Sequence, residues 1–199
     1  MRQAFTNFGH LPARAAQMGV AAAMLALLTP GASAGQRILH GAQSDAAKCH
    51  DAVRRADHAS AGHVAACTAV IVEEHARDSE RAAARVNRAT LYRHLGEDAA
   101  AVADCEAALP MMSREANVAI SCAAVFIDAG EPDRAVELLQ QSELPETRDR
   151  YKYYHNLALA HHDLGEYSLA YYYLEKTLAA KPGFAPAVEL IANYKVVED

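Results

Sequence analysis

Four glycines recur along this chain at a nearly constant interval. Gly62, Gly96, Gly130 and Gly165 stand 34, 34 and 35 residues apart. A period of this length is the sequence signature of proteins built from stacked helical hairpins, because one hairpin cannot bury its apolar face alone. The spacing therefore predicts a series of similar helical pairs that share a continuous core.

The residues around each glycine recur with it. A small residue lies five positions after each of the four glycines and seven positions before the last three of them. A residue with a ring side chain, aromatic or imidazole, lies four positions before each of the four. The small residues are Cys67, Ala89, Ala101, Ala123, Ala135, Ala158 and Ala170, and the rings are His58, Tyr92, Phe126 and His161. Glycine permits a tight turn between helices, and alanine permits close helix crossing. With no segment of convincing strand alternation, the chain is predicted to be all helical.

Two stretches contain the fullest copies of this pattern. One lies between Val86 and Leu109 around Leu-Gly-Glu, and the other lies between Asn156 and Pro182 around a second Leu-Gly-Glu. The pattern resembles the tetratricopeptide repeat family over residues 82–182. The resemblance implies an α-solenoid of helical hairpins in which the first helix of each hairpin lines a concave groove. In two units the family's usual early aromatic residue is replaced, by Arg85 and by Ala119.

The repeat divides the chain into seven segments. These are a leader at 1–34, a loose lead-in at 35–46, a divergent hairpin at 47–81, repeats at 82–115, 116–150 and 151–184, and a capping helix at 185–199. Helices are expected near 80–94, 98–109, 115–129, 132–142, 151–164 and 168–180, with the terminal helix over Ala187–Val197.

The first residues have the composition of an export signal. Arg2 and Arg14 precede the apolar run Met18–Leu28, and Ala32-Ser33-Ala34 forms a small-x-small cleavage site. A short membrane anchor is the alternative, but spanning a bilayer takes roughly 20 apolar residues. The sequence therefore predicts cleavage near Gly35, export to a bacterial periplasm and no membrane insertion afterwards.

The cysteines fall into two local pairs, Cys49/Cys67 and Cys105/Cys122. An even number of cysteines in an exported protein is typical of disulfides. The second pair straddles the expected turn between two hairpins, so its members lie on facing helices. The alternative is four small buried thiols. We expect at least one disulfide, with Cys49–Cys67 favoured because an end unit has only one neighbour to stabilise it.

Whether the first pair can meet depends on where the first hairpin turns. A turn at Ala61-Gly62, as in the other units, would stagger Cys49 and Cys67 by about six residues, roughly 9 Å of helix rise. If the first helix instead ends near Ala56 and Ser60 caps the next, the two cysteines oppose each other. Both arrangements are compatible with the sequence.

The charge of the predicted mature chain narrows the choice of partner. Without Arg2 and Arg14, the 17 remaining Lys and Arg residues against 25 Asp and Glu residues leave a net charge of −8. An acidic chain without a basic stripe is a poor match for nucleic acid or for an anionic membrane surface. A protein or peptide is the expected partner, and the oligomeric state is left open.

Histidine is abundant, with 10 residues, but its spacing forms no catalytic or cofactor motif. Lys48-Cys49-His50 lacks the earlier cysteine of a haem attachment site. No metalloprotease motif, phosphate loop or nucleophile elbow is present. The sequence therefore predicts a protein that is not an enzyme and has no cofactor or metal. The alternative is a small-ligand or metal-binding envelope protein that uses His155, His162 and Asp163.

The resemblance implies a set of groove-side residues, counted from the glycines on the first helix of each hairpin. The polar members are Asn87, Thr90, Arg93, His94, Asn117, Ser121, Asp128, Lys152, His155, Asn156, His162 and Asp163, and the apolar ones include Ile120 and Ala124. Amides can both donate to and accept from an extended peptide backbone. The alternative is that these are ordinary solvated helix faces.

One subclass of the family grips the C-terminal carboxylates of chaperones through lysine and asparagine in successive repeats. Only Lys152 and Asn156 agree with that pattern, and Val86, Thr90 and Ser121 stand at its other positions. That particular specificity is not expected here.

Overall fold

The computed structural model describes residues 4–7, 44–54, 59–112 and 114–197. The helices are α1 (Asp45–Arg54), α2 (Ala61–Val72), α3 (Asp78–Leu95), α4 (Asp98–Met112), α5 (Ala116–Asp128), α6 (Pro132–Gln141), α7 (Arg150–Asp163), α8 (Tyr167–Ala180) and α9 (Ala185–Ile191). Two short strands, β1 (Ala4–Asn7) and β2 (Tyr194–Val197), complete the described elements. The described part of the chain is thus almost entirely helical, as the sequence predicts.

The helix boundaries follow the repeat closely. The six helices expected between residues 80 and 180 are all present as α3 to α8, and each of their ends lies within three residues of its expected position. Helix α1 begins at Asp45, inside the segment expected to be a loose lead-in. Residues 35–43 and all of the predicted leader except 4–7 lie outside the described residues.

Three glycines form the same helix-ending turn in successive hairpins. Gly96, Gly130 and Gly165 have φ of 75°, 78° and 73°. The Glu97, Glu131 and Glu166 amides donate to the carbonyls of Tyr92, Phe126 and His161 at 2.9, 2.8 and 2.8 Å. This bond across a left-handed glycine satisfies a carbonyl that the end of a helix leaves without a partner. The turn geometry explains why glycine recurs at this place in each of these hairpins.

Gly62 does not belong to this series. It lies in the first turn of α2 with Ser60 as the N-cap, whose Oγ accepts from the His63 amide at 3.4 Å. Of the two arrangements that the sequence leaves open for the first hairpin, the structure therefore has the one in which Ser60 caps the second helix, and not the turn at Ala61-Gly62. A further left-handed glycine, Gly183 with φ of 75°, lies between α8 and α9 and is not one of the four periodic glycines.

The small residues of the repeat lie where helices cross. Cys67, Ala89, Ala101, Ala123, Ala135, Ala158 and Ala170 all have no measurable solvent exposure. Among the ring positions, Phe126 and His161 are buried and Tyr92 is partly buried, whereas His58 lies outside the described residues. Any larger side chain at the alanine positions would force the crossing helices apart.

Each helix packs against the next, and alternate helices also pack in series. Helices α1, α3, α5 and α7 contact one another in that order, so the first helices of successive hairpins form one layer. Buried residues form three clusters: one between α1 and α3, a larger one from α3 to α7, and one from α7 to β2. This packing is consistent with a helical repeat.

Both cysteine pairs are bonded. Cys49–Cys67 joins α1 to α2 with a Cα–Cα distance of 4.7 Å, and Cys105–Cys122 joins α4 to α5 with a distance of 5.6 Å. The first pair can meet because Ser60 caps α2, the second of the two arrangements considered above. Disulfides are typical of proteins that fold in oxidising compartments.

The end of the chain differs from the expected capping helix. Helix α9 ends at Ile191, and Tyr194–Val197 forms β2 instead of continuing the helix to Val197. β2 pairs antiparallel with β1, with Tyr194 opposite Asn7 and Val197 opposite Ala4. Val188 on α9 is exposed. Within the described ranges, no helix is both long enough and apolar enough to span a bilayer.

Candidate functional site

The layer formed by α3, α5 and α7 contains a cavity of about 280 Å³. It is lined by Thr90, Arg93, Ile120, Ser121, Ala124, Lys152, His155, Asn156 and Phe184. Six of the predicted polar groove residues and two of the apolar ones therefore meet at one place. The cavity crosses three successive hairpins, and we refer to it below as the groove cavity.

Arg93 forms the α3 side of the groove cavity and is held there by an ion pair. Its Nη1 lies 3.0 Å from Oδ2 of Asp128, at the end of α5. About a quarter of each side chain is exposed, 27% for arginine and 23% for aspartate. The pair ties two neighbouring hairpins together and leaves the remaining guanidinium N–H groups of Arg93 for other acceptors.

Asn156 has a structural role as well as a place in the lining. Its Nδ2 donates to the Ile120 carbonyl at 2.8 Å, and only 8% of the residue is exposed. The amide thus links α7 to α5. Asn156 lies in the middle of α7, with His155 one residue and Lys152 one helical turn before it. The hydrogen bond to Ile120 therefore also fixes where along α7 these two side chains enter the cavity.

Phe184 closes one end of the groove cavity and was not expected from the repeat. It follows Gly183 in the turn before α9, and its ring meets those of Tyr151 and His155 edge-on at centroid distances of 5.0 and 5.1 Å. Lys181 Nζ lies 4.3 Å from the Tyr151 ring centroid and 5.2 Å from that of Phe184. In the sequence this turn is indicated only by Gly183, because the turn is not one of those that recur with the periodic glycines.

His155 is a neutral group at physiological pH. Burial lowers its pKa from 6.5 to about 4. Its Nδ1 is buried and has no hydrogen-bond partner among the described residues. With its edge against Phe184, the imidazole acts as part of the aromatic wall of the cavity and carries no charge there.

The cavity lining contains cations and no carboxylate. Lys152 Nζ pairs with Oδ1 of Asp149 at 2.9 Å, and half of the lysine side chain remains exposed. The acidic partners of Lys152 and Arg93 both stand outside the lining. Hydrogen bonding to Lys152 lowers the pKa of Asp149, so this pair is ionised at neutral pH.

The other predicted groove residues lie outside this cavity. Asn87 lines a second cavity of about 190 Å³ near Cys49, and Asn117 lines a third of about 270 Å³ next to the loop between α6 and α7. His94 is exposed at the end of α3. Asp128 does not line the groove cavity, but its carboxylate pairs with Arg93, which does.

His162 and Asp163 stand at the end of α7, where β2 begins. His162 Nδ1 is 2.5 Å from the Tyr194 hydroxyl, and burial lowers the pKa of this histidine. Burial raises the pKa of Asp163, and electrostatic repulsion from Asp128 raises it further. The His162 ring also meets that of Tyr167 edge-on. These contacts assign His162 to the packing of the last helices.

Metal binding finds no support in this geometry. Across the described ranges, no three His, Cys, Asp or Glu side chains converge in a way that could hold an ion. The set His155, His162 and Asp163, the alternative drawn from the sequence, is therefore not brought together as a metal site.

Comparison with known proteins leaves the fold and the cavity as the basis for a functional conclusion. No protein-family model matches this sequence. No curated protein matches it at a significant level. The functional conclusion therefore rests on three structural features: all-helical repeat-like packing, two disulfides and a cavity that crosses three hairpins.

Proposed function

We propose that this chain is an exported protein of the tetratricopeptide-repeat type that binds a protein or peptide in its groove. Its work would be that of an adaptor or assembly factor in the periplasm. The observation that carries the proposal is the groove cavity, which is formed by the first helices of three successive hairpins. A surface composed of equivalent positions in neighbouring repeats is the usual binding surface of such proteins.

The recurring turn supports the repeat assignment. Ring, left-handed glycine and glutamate occupy equivalent places in three hairpins, and the alanines around them are fully buried. A shared backbone bond and a shared crossing geometry are what a sequence repeat of this period requires.

The size and lining of the cavity favour a macromolecular partner. At about 280 Å³ it is just below the range of about 300–1,000 Å³ that encloses drug-sized ligands. The hydroxyl of Ser121 and the amide oxygen of Asn156 are available beside apolar Ile120 and Ala124. This combination suits a single protruding side chain with its flanking backbone.

Export is supported by the two disulfides together with the leader-like composition of residues 1–34. Four fully buried cysteines joined in pairs are unusual in a reducing compartment. The predicted cleavage site itself lies outside the described residues.

The test is affinity capture with a variant that fills the cavity. Ala124→Arg places a long side chain into the lining, and Ala103→Arg makes the same change on the exposed face of α4. Both purified variants and the unchanged protein are immobilised, exposed to a periplasmic extract, and the retained proteins are identified by mass spectrometry. Circular dichroism checks that each variant is folded.

We expect a partner to be retained by the unchanged protein and by Ala103→Arg, and to be lost with Ala124→Arg. A partner that all three baits retain would show that binding uses another surface. If no bait retains a specific protein, the adaptor function is wrong.

A further inference from the structure

Building on the proposed function, we infer that the groove partner presents an apolar side chain next to an acidic one, in an internal peptide segment. The apolar side chain contacts Phe184 and Ile120. The neighbouring carboxylate meets the cations that surround this end of the groove cavity. The inference thus names the chemical class of the partner, an acidic–apolar peptide.

The charges around the cavity point to an acidic partner. Arg93 and Lys152 are basic residues of its lining, which includes no Asp or Glu, and His155 is neutral. Lys181 stands beside Phe184 and forms no ion pair with any residue in the described ranges. The chain as a whole has a net charge of −6, so this cationic end is local. Charge complementarity steers and selects partners more than it adds affinity.

The apolar part of the lining indicates where a side chain would seat. Phe184 presents a ring fixed by edge-on contacts with Tyr151 and His155. Ile120 and Ala124 on α5 supply the aliphatic part of the same lining. A cavity lined by a fixed aromatic ring together with small and branched aliphatic residues is the environment in which an anchoring side chain contributes most to binding.

The ammonium group of Lys181 lies close to the aromatic wall formed by Phe184 and Tyr151. This group lies over two aromatic faces, at 4.3 Å from the Tyr151 centroid and 5.2 Å from the Phe184 centroid. Cation–aromatic attraction holds the group there without neutralising it. A carboxylate one or two residues from the anchoring side chain can therefore reach Lys181 while the anchor touches Phe184.

Peptide selection tests this inference directly. Random dodecapeptides are displayed with their C-termini fused to a phage coat protein, so that no peptide has a free terminal carboxylate. The library is selected on the full folded protein, and the frequency of Asp and Glu relative to Lys and Arg is compared with the unselected library. Selected peptides are then synthesised with blocked ends, and their dissociation constants are measured by fluorescence anisotropy.

Two variants and two matched controls locate the contacts. Lys181→Glu reverses the charge beside Phe184, and Lys176→Glu makes the same change on α8 away from the cavity. Phe184→Ala removes the aromatic wall, and Tyr172→Ala removes an exposed aromatic ring on α8. Thermal melts show whether each variant is folded.

We expect enrichment of acidic residues next to aromatic or aliphatic ones. Lys181→Glu should weaken binding about fivefold and Phe184→Ala about tenfold, and both controls should change it less than about twofold. Groove-binding peptides that are neutral or basic, or whose dissociation constants do not change with Lys181→Glu, would overturn the inference and leave the proposed function intact. If Ala124→Arg does not reduce binding of any selected peptide, or no peptide is enriched, both are overturned.

Discussion

Asp104 is an acidic residue inside the helical stack, with 3% of its surface exposed. Both of its oxygens accept from Arg88, at 2.7 Å from Nε and 2.7 Å from Nη2. The same guanidinium donates to the Thr68 hydroxyl at 2.8 Å. One arginine thus connects α2, α3 and α4, and its hydrogen bonds to Asp104 raise the pKa of Arg88.

Removing this carboxylate should be strongly destabilising. Asp104→Asn keeps the shape of the side chain and leaves Arg88, whose side chain is only 16% exposed, without its counter-ion. We expect the free energy of unfolding to fall by about 3 kcal/mol, measured by urea denaturation. Glu106→Gln is the control, because the exposed pair of Glu106 with Arg134 should contribute no more than about 1 kcal/mol. Equal effects of the two changes would contradict a buried ion pair.

His155 should make stability depend on pH. Its pKa is about 4 when folded and 6.5 when unfolded, so the unfolded chain takes up the proton first as pH falls. This contribution is complete above pH 6.5 and is lost between 6.5 and 4, by at most about 3 kcal/mol. In His155→Phe, which retains an aromatic contact with Phe184, the loss should be smaller. Parallel denaturation at pH 7 and pH 4.5 checks this, and identical losses in both proteins would refute it.

Single residues were predictable from the sequence only where the repeat fixes them. The alanines and the rings at Phe126 and His161 are buried at the expected places because each performs the same packing role in every hairpin. Asp104 and Phe184 were missed. The partner of Asp104 comes from another helix, and Phe184 reaches the cavity through a turn that has no copy elsewhere in the chain.

At the scale of elements, the hairpins α3–α4, α5–α6 and α7–α8 each turn at one left-handed glycine. Gly130, with φ of 78°, has open space where a Cβ would stand, so only its backbone conformation resists substitution. Gly62 lies in the first turn of α2, where a Cβ would come no closer than 3.8 Å to Ser60 Oγ. Two glycines of the same sequence repeat therefore have opposite roles.

Alanine substitution distinguishes these roles. Gly130→Ala should destabilise the protein by about 1 kcal/mol, since alanine resists the left-handed conformation. Gly62→Ala should stabilise it by about 0.5 kcal/mol, because alanine has the higher helix propensity and fewer unfolded conformations. Shifts of opposite sign in the melting temperature are the expected result, and a loss of stability with Gly62→Ala would place that glycine in a turn.

The two disulfides should differ in what they stabilise. Each closes a loop of similar length, with separations of 18 and 17 residues, so each should contribute about 3 kcal/mol. Cys49→Ser with Cys67→Ser releases α1, which among the described elements packs mainly on α2 and α3, and its effect should be local. Cys105→Ser with Cys122→Ser loosens two hairpins within the largest cluster and should lower global stability. Urea denaturation followed by hydrogen exchange separates these outcomes; equal loss of protection throughout both variants would contradict the distinction.

Elements were predictable because apolar periodicity and the glycine turns are local signals. The exceptions lie at the ends. In the first hairpin, Ser60 signals a helix start and Gly62, two residues later, signals a turn, so the sequence leaves both arrangements open. In the structure Ser60 caps α2. Tyr194–Val197 pairs with a segment from the opposite end of the chain, and no local pattern records a partner that distant.

The whole molecule is a series in which each hairpin is stabilised by its neighbours. The largest buried cluster spans α3 to α7, and smaller clusters at α1–α3 and α7–β2 flank it. Helices in the middle contact partners on both sides, whereas among the described elements α1 packs mainly on α2 and α3, and α9 mainly on α8. Stability in such an array is a sum of unit and interface contributions, so the ends should open before the centre.

Native-state hydrogen exchange tests this gradient. Amides of α5, at the centre, should exchange only through global unfolding, whereas those of α1 and α9 should exchange with free energies lower by about 2 kcal/mol or more. Reduction of the disulfides should lower protection further in α1, because Cys49–Cys67 is the covalent link that holds it to α2. The groove cavity uses α3, α5 and α7, so its frame belongs to the most protected part of the molecule, with only Phe184 contributed by the less stable end. Uniform exchange from α1 to α9 would instead describe a single cooperative unit and would remove the basis for treating the ends as separately labile.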